Sequence, residues 1–470
     1  METIDPAAAQ KMARIRRAGA IGNFIEYFDN ALYAYFAVTI AALFFPPGDP
    51  VANLLATFAI FGVAFFIRPV GGIVFGYVGD RFGRKRQLIY AILLMSVSTA
   101  AIGILPTYES VGILAPLLLL VCRLAQGFSV GGESTGAFVM VVEQSPVGRR
   151  GRNAAPLVIT TILGAAVAAS LSAGISLVFS DEAMIEYAWR LPFFVALPLG
   201  IVGLILRARI GESDAFKEAT KAPARSASAR PAAKESPLRR AFRTSGKQML
   251  TLFLWVSLVA VCGYMVVGYM VSHLVSFEGY DQLSALMILV CAQLMAAVGQ
   301  VFMGRLADKF SRKQFGMLLS GCLAVLLIPT FFSLSIGPVV AAVALGIFST
   351  FQYATMISAG CALVELFPVD VRSSASGLAY SLAFSVFGGT MPFVATSLSS
   401  NFGHIAPAYY AVAFAIVGFL VAWKGLPNAR AMDVTSSGES LHVDREATNH
   451  PVPTIIQAAD APVAQKAEHL

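Results

Sequence analysis

Twelve apolar stretches run through the chain, at roughly 18–44, 54–79, 87–105, 113–142, 154–179, 189–210, 248–275, 282–306, 314–335, 337–366, 374–401 and 405–425. A hydrocarbon core of ~30 Å takes about 20 helical residues to cross. In lipid, every backbone N–H and C=O has to be satisfied within the protein. A series of such stretches therefore folds as a bundle of transmembrane helices. Composition agrees: 57% of residues are hydrophobic and 13% are charged, about half the charge of a soluble domain. So little charge cannot cover a water-facing surface, which excludes a soluble enzyme and a disordered chain. The five cysteines, at 122, 262, 291, 322 and 361, all lie in apolar runs without metal-ligand spacing. They read as packing residues rather than a disulfide framework.

Charge sets the expected orientation. With twelve spans and both termini inside, 31 of the 34 Lys and Arg fall on inner loops or tails, as the positive-inside rule requires. The exceptions are Arg68, Arg123 and Arg190. This distribution, rather than nucleic acid, accounts for the net charge of +7. The N-terminus resembles a signal peptide, but its apolar run is long and carries Glu26 and Asp29, so it reads as an uncleaved first span. Residues 1–17 are expected to be a cytoplasmic N-terminus and 18–210 a six-helix half. Residues 211–247, rich in Ser, Ala, Pro and Arg, read as a flexible cytoplasmic linker. A second six-helix half follows at 248–425, then a disordered cytoplasmic tail at 426–470 without heptads.

Two motifs occur twice, in the same order. Gly76-x-x-x-Asp80-Arg81-x-x-Arg84-Lys85 recurs as Gly304-x-x-x-Asp308-Lys309-x-x-Arg312-Lys313, and Glu143-x-x-Pro146-x-x-x-Arg150 recurs as Glu365-x-x-Pro368-x-x-x-Arg372. Each pair falls on corresponding inner loops, which implies a duplicated six-span unit with a cavity between its halves. Topology needs no acid at these positions. Asp80 with Arg84, and Asp308 with Arg312, are therefore expected to form a cytoplasmic gate, with Glu143/Arg150 and Glu365/Arg372 as a matching charge network.

These residues carry a family resemblance. GYVGDRFGRKR resembles the loop signature of the major facilitator superfamily. Together GNFIEYFDNALYAYFA, RPVGGIVFGYVGDRFGRKR, RLAQGFSVGGESTGA and WRLPFFVALPLG resemble its metabolite:proton symporters, a group that includes proline/betaine, α-ketoglutarate, citrate and shikimate transporters. The resemblance covers about residues 15–425. It implies an all-α fold of two six-helix halves working by alternating access. Two positions depart from the family pattern. The first span reads Glu26-Tyr27-Phe28-Asp29-Asn30 where E-W-F-D-F is usual, and Ser134 stands where an aromatic is common.

Charges within spans point to the site, because an ionisable group at membrane depth costs about 2.5–3.5 kcal/mol to insert and so has a partner or a task. Glu26, Asp29, Asn30 and Tyr33 share one face of the first span by their i, i+3, i+4, i+7 spacing. Arg123, Gln126 and Glu133 form a polar stripe on the fourth span at similar depth. The expectation is a proton-titratable acid facing an arginine that also meets substrate. In the superfamily's sugar porters an acid of span one faces an arginine of span four, and Asp29 and Arg123 match those positions. Arg190 beside Trp189 is read as either an interfacial anchor or a substrate contact, and Arg68 before Pro69 as a structural ion pair. His273 is expected at the interface, and Gln293, Gln352 and Tyr353 are weaker second-half cavity candidates. The glycine pairs 72/76 and 127/131 are expected to be helix contacts.

The sequence thus reads as a secondary active transporter, not an enzyme: no Walker A, H-E-x-x-H or G-x-S-x-G motif stands out. Proton-coupled symport of a small organic acid is preferred. A zwitterionic compatible solute comes second and exchange or efflux third. The expected partners are a small-molecule substrate, protons and the lipid bilayer, with no cofactor and no nucleic acid. The protein is expected to be a multi-pass monomer in a bacterial inner or plasma membrane.

Overall fold

The computed structural model describes residues 6–82, 84–131, 134–146, 148–208, 237–368 and 371–428. The expected linker from 211 to 236, nearly all of the tail, Glu133, and the side chains of Asp80 and Arg84 lie outside what is described. Among the described residues the regular structure is helical: α1 (Pro6–Tyr35), α2 (Ala37–Phe44), α3 (Pro50–Phe66), α4 (Arg68–Phe82), α5 (Arg84–Ile104), α6 (Leu114–Val130), α7 (Ser134–Glu143), α8 (Arg150–Val178), α9 (Leu191–Ala208), α10 (Pro237–Tyr264), α11 (Met270–Ser276), α12 (Gln282–Lys309), α13 (Arg312–Leu334), α14 (Pro338–Glu365), α15 (Arg372–Ala383), α16 (Met391–Phe402) and α17 (Ala406–Lys424), with short helical turns between some of them.

Nine of these segments are long and apolar enough to cross a membrane, and the bent pair α1–α2 makes a tenth. Two shorter apolar helices, Ile89–Ile104 and Leu114–Val130, occupy the places of the third and fourth spans. Each of the twelve apolar stretches thus meets a helical segment. The first begins earlier than expected, at Pro6, and the seventh is preceded by a helical segment from Pro237 with a kink at Ser245.

Spans one, two, seven and eleven are each interrupted. Span one bends by 56° between Tyr35 and Ala37. Span two breaks at Ile67, because Pro69 has no N–H to offer the carbonyl of residue 65. Spans seven and eleven each contain a π-helical turn, at Met265–Tyr269 and Phe384–Gly388. Such turns insert a residue, rotate the following helix, and cluster at functional sites.

Glycines let the helices around the first-half polar residues approach backbone to backbone. A Cβ on Gly127 would lie 1.9 Å from the Ala64 carbonyl oxygen, and one on Gly131 equally close to that of Arg68. On the facing helix, a Cβ on Gly71 would meet the Phe128 carbonyl oxygen at 1.9 Å. Spans two and four are thus locked together along the segments that carry Arg68 and Arg123. Backbone cannot yield as a side-chain tip can. Gly127→Ala is therefore expected to cost at least about 1–3 kcal/mol, seen as a lower melting temperature of the purified protein in detergent. Gly174→Ala, where a Cβ would meet nothing within 4 Å, should leave it unchanged.

Candidate functional site: a buried polar cavity and a crossed charge network

Glu26, Asp29, Arg123 and Gln126, expected on two facing stripes, line one small cavity with Asn30, Arg68 and Gly127. Glu26 and Asp29 come from α1, and Arg123 and Gln126 from α6. Arg68 reaches in from the first turn of α4, which the break at Ile67 starts afresh. All four expected residues are less than a tenth exposed.

The pairing inside the cavity differs from the expectation. Arg68 Nη1 binds Glu26 Oε1 at 3.3 Å. The Arg123 guanidinium lies over the rings of Tyr33 and Phe61, 4.3 and 4.9 Å from their centroids, and donates to Gln126 Oε1 at 2.8 Å. Gln126 Nε2 in turn donates to Thr99 Oγ1 at 2.7 Å. Asp29 lies beside Thr99 and Arg123 without a hydrogen bond of ordinary geometry to either oxygen. Arg68 and Arg123 each leave the Nε–H unpartnered. Tyr33 is both a ring under Arg123 and a donor to the Thr57 carbonyl at 3.0 Å.

Arg190, Arg68 and Tyr264 occupy places that the sequence reading left open. Arg190 is not with this cluster. Its Nη1 donates to the carbonyls of Gly103 and Leu105, at 2.9 and 2.6 Å, tying down the C-terminal end of α5. Arg68, read as a structural ion pair, pairs with a cavity acid, Glu26. A charge next to a proline within a span was the signal available for it. Tyr264 had no such signal. It stacks edge-on against Phe65 at 4.9 Å and Phe61 at 5.9 Å, and forms a partition behind the two arginines.

On the far side of that partition lies a second cavity, between the halves, lined by Tyr27, Tyr264, Gln352, Tyr353 and Phe384 among others. Gln293 lies elsewhere, donating across the halves to the Tyr35 hydroxyl at 2.9 Å.

The repeated loop motifs meet at the basic end of the bundle, and their charges cross. Arg372 of the second half binds Glu143 of the first at 2.7 Å. Arg150 of the first half binds Glu365 of the second at 3.1 Å. These four residues, expected as a matching charge network, come together with each acid taking the arginine of the other copy. Arg312 was expected with Asp308; its Nε and Nη2 grip Glu365 at 2.7 and 2.9 Å. Asp308 accepts the backbone N–H groups of Gly151 and Arg152, at 2.7 and 3.1 Å. It thereby caps the start of α8, where a helix favours negative charge. The motif's glycine explains the contact: Gly304, one turn before Asp308, faces Gly151, whose Cβ would lie 2.7 Å from the Gly304 carbonyl oxygen.

Glu365 holds two arginines at once and is buried, so removing its charge leaves two guanidinium groups underpaired, an effect of about 3–5 kcal/mol for a buried pair. Cys361, buried one turn earlier, is a native reporter. In a background where Cys361 is the single cysteine, Glu365→Gln is expected to speed its maleimide labelling several-fold; an unchanged rate would mean that the network does not hold this end closed.

At the opposite end, Glu278 lies between two histidines, with His273 Nε2 at 3.3 Å and His404 Nδ1 at 2.9 Å. His273 is not interfacial but fully buried, with its Nδ1 3.0 Å from the Tyr269 hydroxyl. Burial alone would raise the Glu278 pKa, but the two histidines outweigh it and hold it below the usual carboxylate value. A pKa depressed by folding stabilises the protein above the unfolded value of about 4.3 and is lost as pH falls through the folded one. The melting temperature should therefore fall more steeply below about pH 4.3 in the wild type than in Glu278→Gln.

A helical bundle of two halves, long and apolar enough to cross a membrane many times, with buried charges inside it and ion pairs joining the halves at one end, has the architecture of a membrane transporter. The chain matches the Major Facilitator Superfamily over residues 19–382, and it belongs to that family. It is 34% identical over 455 residues to the proline/betaine transporter of Escherichia coli (strain K12), covering 93% of this chain and 88% of that one. It is also 34% identical over 467 residues to the glycine betaine/proline/ectoine/pipecolic acid transporter OusA of Dickeya dadantii (strain 3937), covering 94% and 91%. Among solved structures, a proton:xylose symporter, XylE, superposes with a TM-score of 0.70 at 17% identity, over 92% of this chain and 98% of that one. The inward-open xylose transporter XylE from E. coli gives 0.68 at 16%, over 92% and 99%. These two show the shared fold. The protein is thus a multi-pass secondary transporter of the inner membrane rather than an enzyme.

Proposed function

We propose that the protein is a proton-coupled symporter of a small zwitterion, in which Asp29 carries the coupling proton and Arg68 and Arg123 receive the substrate carboxylate. One observation carries this reading: two buried acids and two arginines share one cavity, and each arginine keeps an unpartnered Nε–H. Unmet donors in a buried cavity favour an anionic acceptor. A carboxylate arriving there competes with Glu26 and Asp29 for the same cations. Weakening that hold raises the proton affinity of an acid, which links the two bindings.

Charge balance favours a substrate with one carboxylate over the di- and tricarboxylates among the organic acids preferred from sequence. The two acids and two arginines cancel, and the lining of the second cavity carries amide, hydroxyl and aromatic groups without a further cation. With the coupling proton on Asp29 the four groups keep one positive charge, which one carboxylate answers and a di- or tricarboxylate exceeds; among substrates with one carboxylate we take a zwitterion. The names of the 34%-identical relatives support the same class, and the XylE neighbours are proton symporters by name. A monocarboxylic acid is the second reading, favoured by the arginine donors taken alone. The charge crossing at the basic end, with Asp80 and Arg84 as the matching first-half positions, we assign to the cytoplasmic gate. On that assignment both termini are cytoplasmic.

The test is uptake into proteoliposomes. L-Proline and glycine betaine should accumulate when an inward proton gradient is imposed, citrate and α-ketoglutarate should not, and a protonophore should abolish accumulation. Asp29→Asn should lose accumulation but keep counterflow exchange, because exchange need not release the proton. Net uptake that survives this change would move proton carriage to Glu26 or Glu133.

A further inference from the structure

Gln352 is wholly buried, yet neither end of its carboxamide has a hydrogen-bond partner. The hydroxyl of Tyr353, next in sequence and equally buried, is unpartnered too. Buried polar groups in folded proteins are nearly always satisfied, and each exception calls for a reason. Both groups line the second cavity between the halves, with Tyr27, Tyr264 and Phe384. Gly263 faces them from span seven: a Cβ there would lie 3.1 Å from Gln352 Nε2, so the glycine leaves the amide its room. The cavity adjoins the π-helical turns of spans seven and eleven, which begin at Met265 and Phe384. Packing alone would be served as well by a leucine and a phenylalanine. The groups present are instead two unfilled acceptors within an aromatic surround, on the other side of the Phe61, Phe65 and Tyr264 rings from Arg68 and Arg123.

We propose that, once Tyr264 turns aside to join the two cavities, Gln352 and Tyr353 form the subsite for the substrate's ammonium group, and that they select an ammonium still carrying N–H bonds, such as the secondary ammonium of a cyclic imino acid, over a quaternary one. The inference rests on the zwitterion reading above and adds the determinant of specificity within that class. Whichever way the amide is turned, one end accepts, and the tyrosine oxygen accepts as well. A secondary ammonium can donate to both. A quaternary ammonium has nothing to donate: the faces of Tyr27, Tyr264 and Phe384 can attract it, but both polar groups stay unpaired. A site built to hydrogen-bond a ligand discriminates strongly against the analogue that lacks the donor.

The probes share one ring body and differ only in N–H count: L-proline, N-methyl-L-proline and N,N-dimethyl-L-proline, each used to inhibit counterflow in proteoliposomes. In the wild type, affinity should fall stepwise along the series, by about tenfold or more overall. Gln352→Met keeps the volume and removes the amide. It should weaken L-proline by about tenfold while leaving the dimethylated compound within about twofold, which flattens the series. Tyr353→Phe should flatten it in part. A flat or reversed wild-type series overturns the proposal. So does equal weakening of all three probes by Gln352→Met, which would make Gln352 structural. Should that variant fail to fold, the wild-type series and Tyr353→Phe decide alone. If none of the three probes competes while carboxylates do, the zwitterion reading itself falls and this subsite falls with it. If the probes compete without regard to N–H count, only the subsite falls.

Discussion

A guanidinium inside a bilayer has to be answered by the protein, and most of what is distinctive here follows from the answers given to Arg68 and Arg123. Arg68 takes Glu26 and lies on the Phe65 ring, 3.9 Å from its centroid. Arg123 takes Gln126 and lies on Tyr33 and Phe61. Holding two such cations side by side demands close helices, which is why spans two and four approach through glycine. It also demands aromatic walls, and those walls reach across the halves through Tyr264. A cavity whose charges are satisfied only in part can rest occluded and still bind an anion, since the donors left over are those a ligand can use.

Where the halves meet, contact runs the length of the molecule rather than at one level. Near one end Gln282 Nε2 donates to the Tyr35 carbonyl at 2.7 Å. Midway, Ser385 Oγ donates to the Phe65 carbonyl at 2.8 Å, beside the close approach of Gly62 to Gly389. At the other end lies the crossed charge network. The mid-level contacts fall at the Ile67 break and at the π-helical turn of span eleven. Helix geometry is already interrupted there, so a change in packing need not break regular hydrogen bonding.

Much of this was legible in the sequence because lipid imposes one dominant rule. Apolar length gave each span a place, Pro69 marked a break, and the i, i+3, i+4, i+7 polar face of span one put Glu26, Asp29 and Tyr33 into the same region as Arg123. The duplicated motifs identified the charges that join the halves. What could not be read was who pairs with whom. Motif spacing suggests partners along the chain, whereas Glu143 and Arg372, or Arg150 and Glu365, are over two hundred residues apart and meet only through tertiary packing. The bend at Phe36 and the π-helical turns carry no local signature, since glycines and aromatics occur throughout these spans. Arg190 stayed open because a cation beside tryptophan near a span end looks the same whether it binds a ligand or the carbonyl end of a helix. His273 misled because a polar residue near a helix end is as easily buried as exposed.

The crossing of the two ion pairs also governs what is left when they part. Each half brings one carboxylate and one guanidinium to the seam, so separation leaves each half with one charge of each sign from these four groups. Had one half supplied both arginines and the other both acids, each parted edge would have carried like charges side by side, and their repulsion would have added to the cost of exposing them. Reciprocal exchange keeps each edge near neutrality from these four residues. The attraction between the edges then falls away faster with distance than that between net charges. Such a seam holds firmly at contact and, on the gate assignment proposed above, lets go over a short separation, as a latch does rather than a spring.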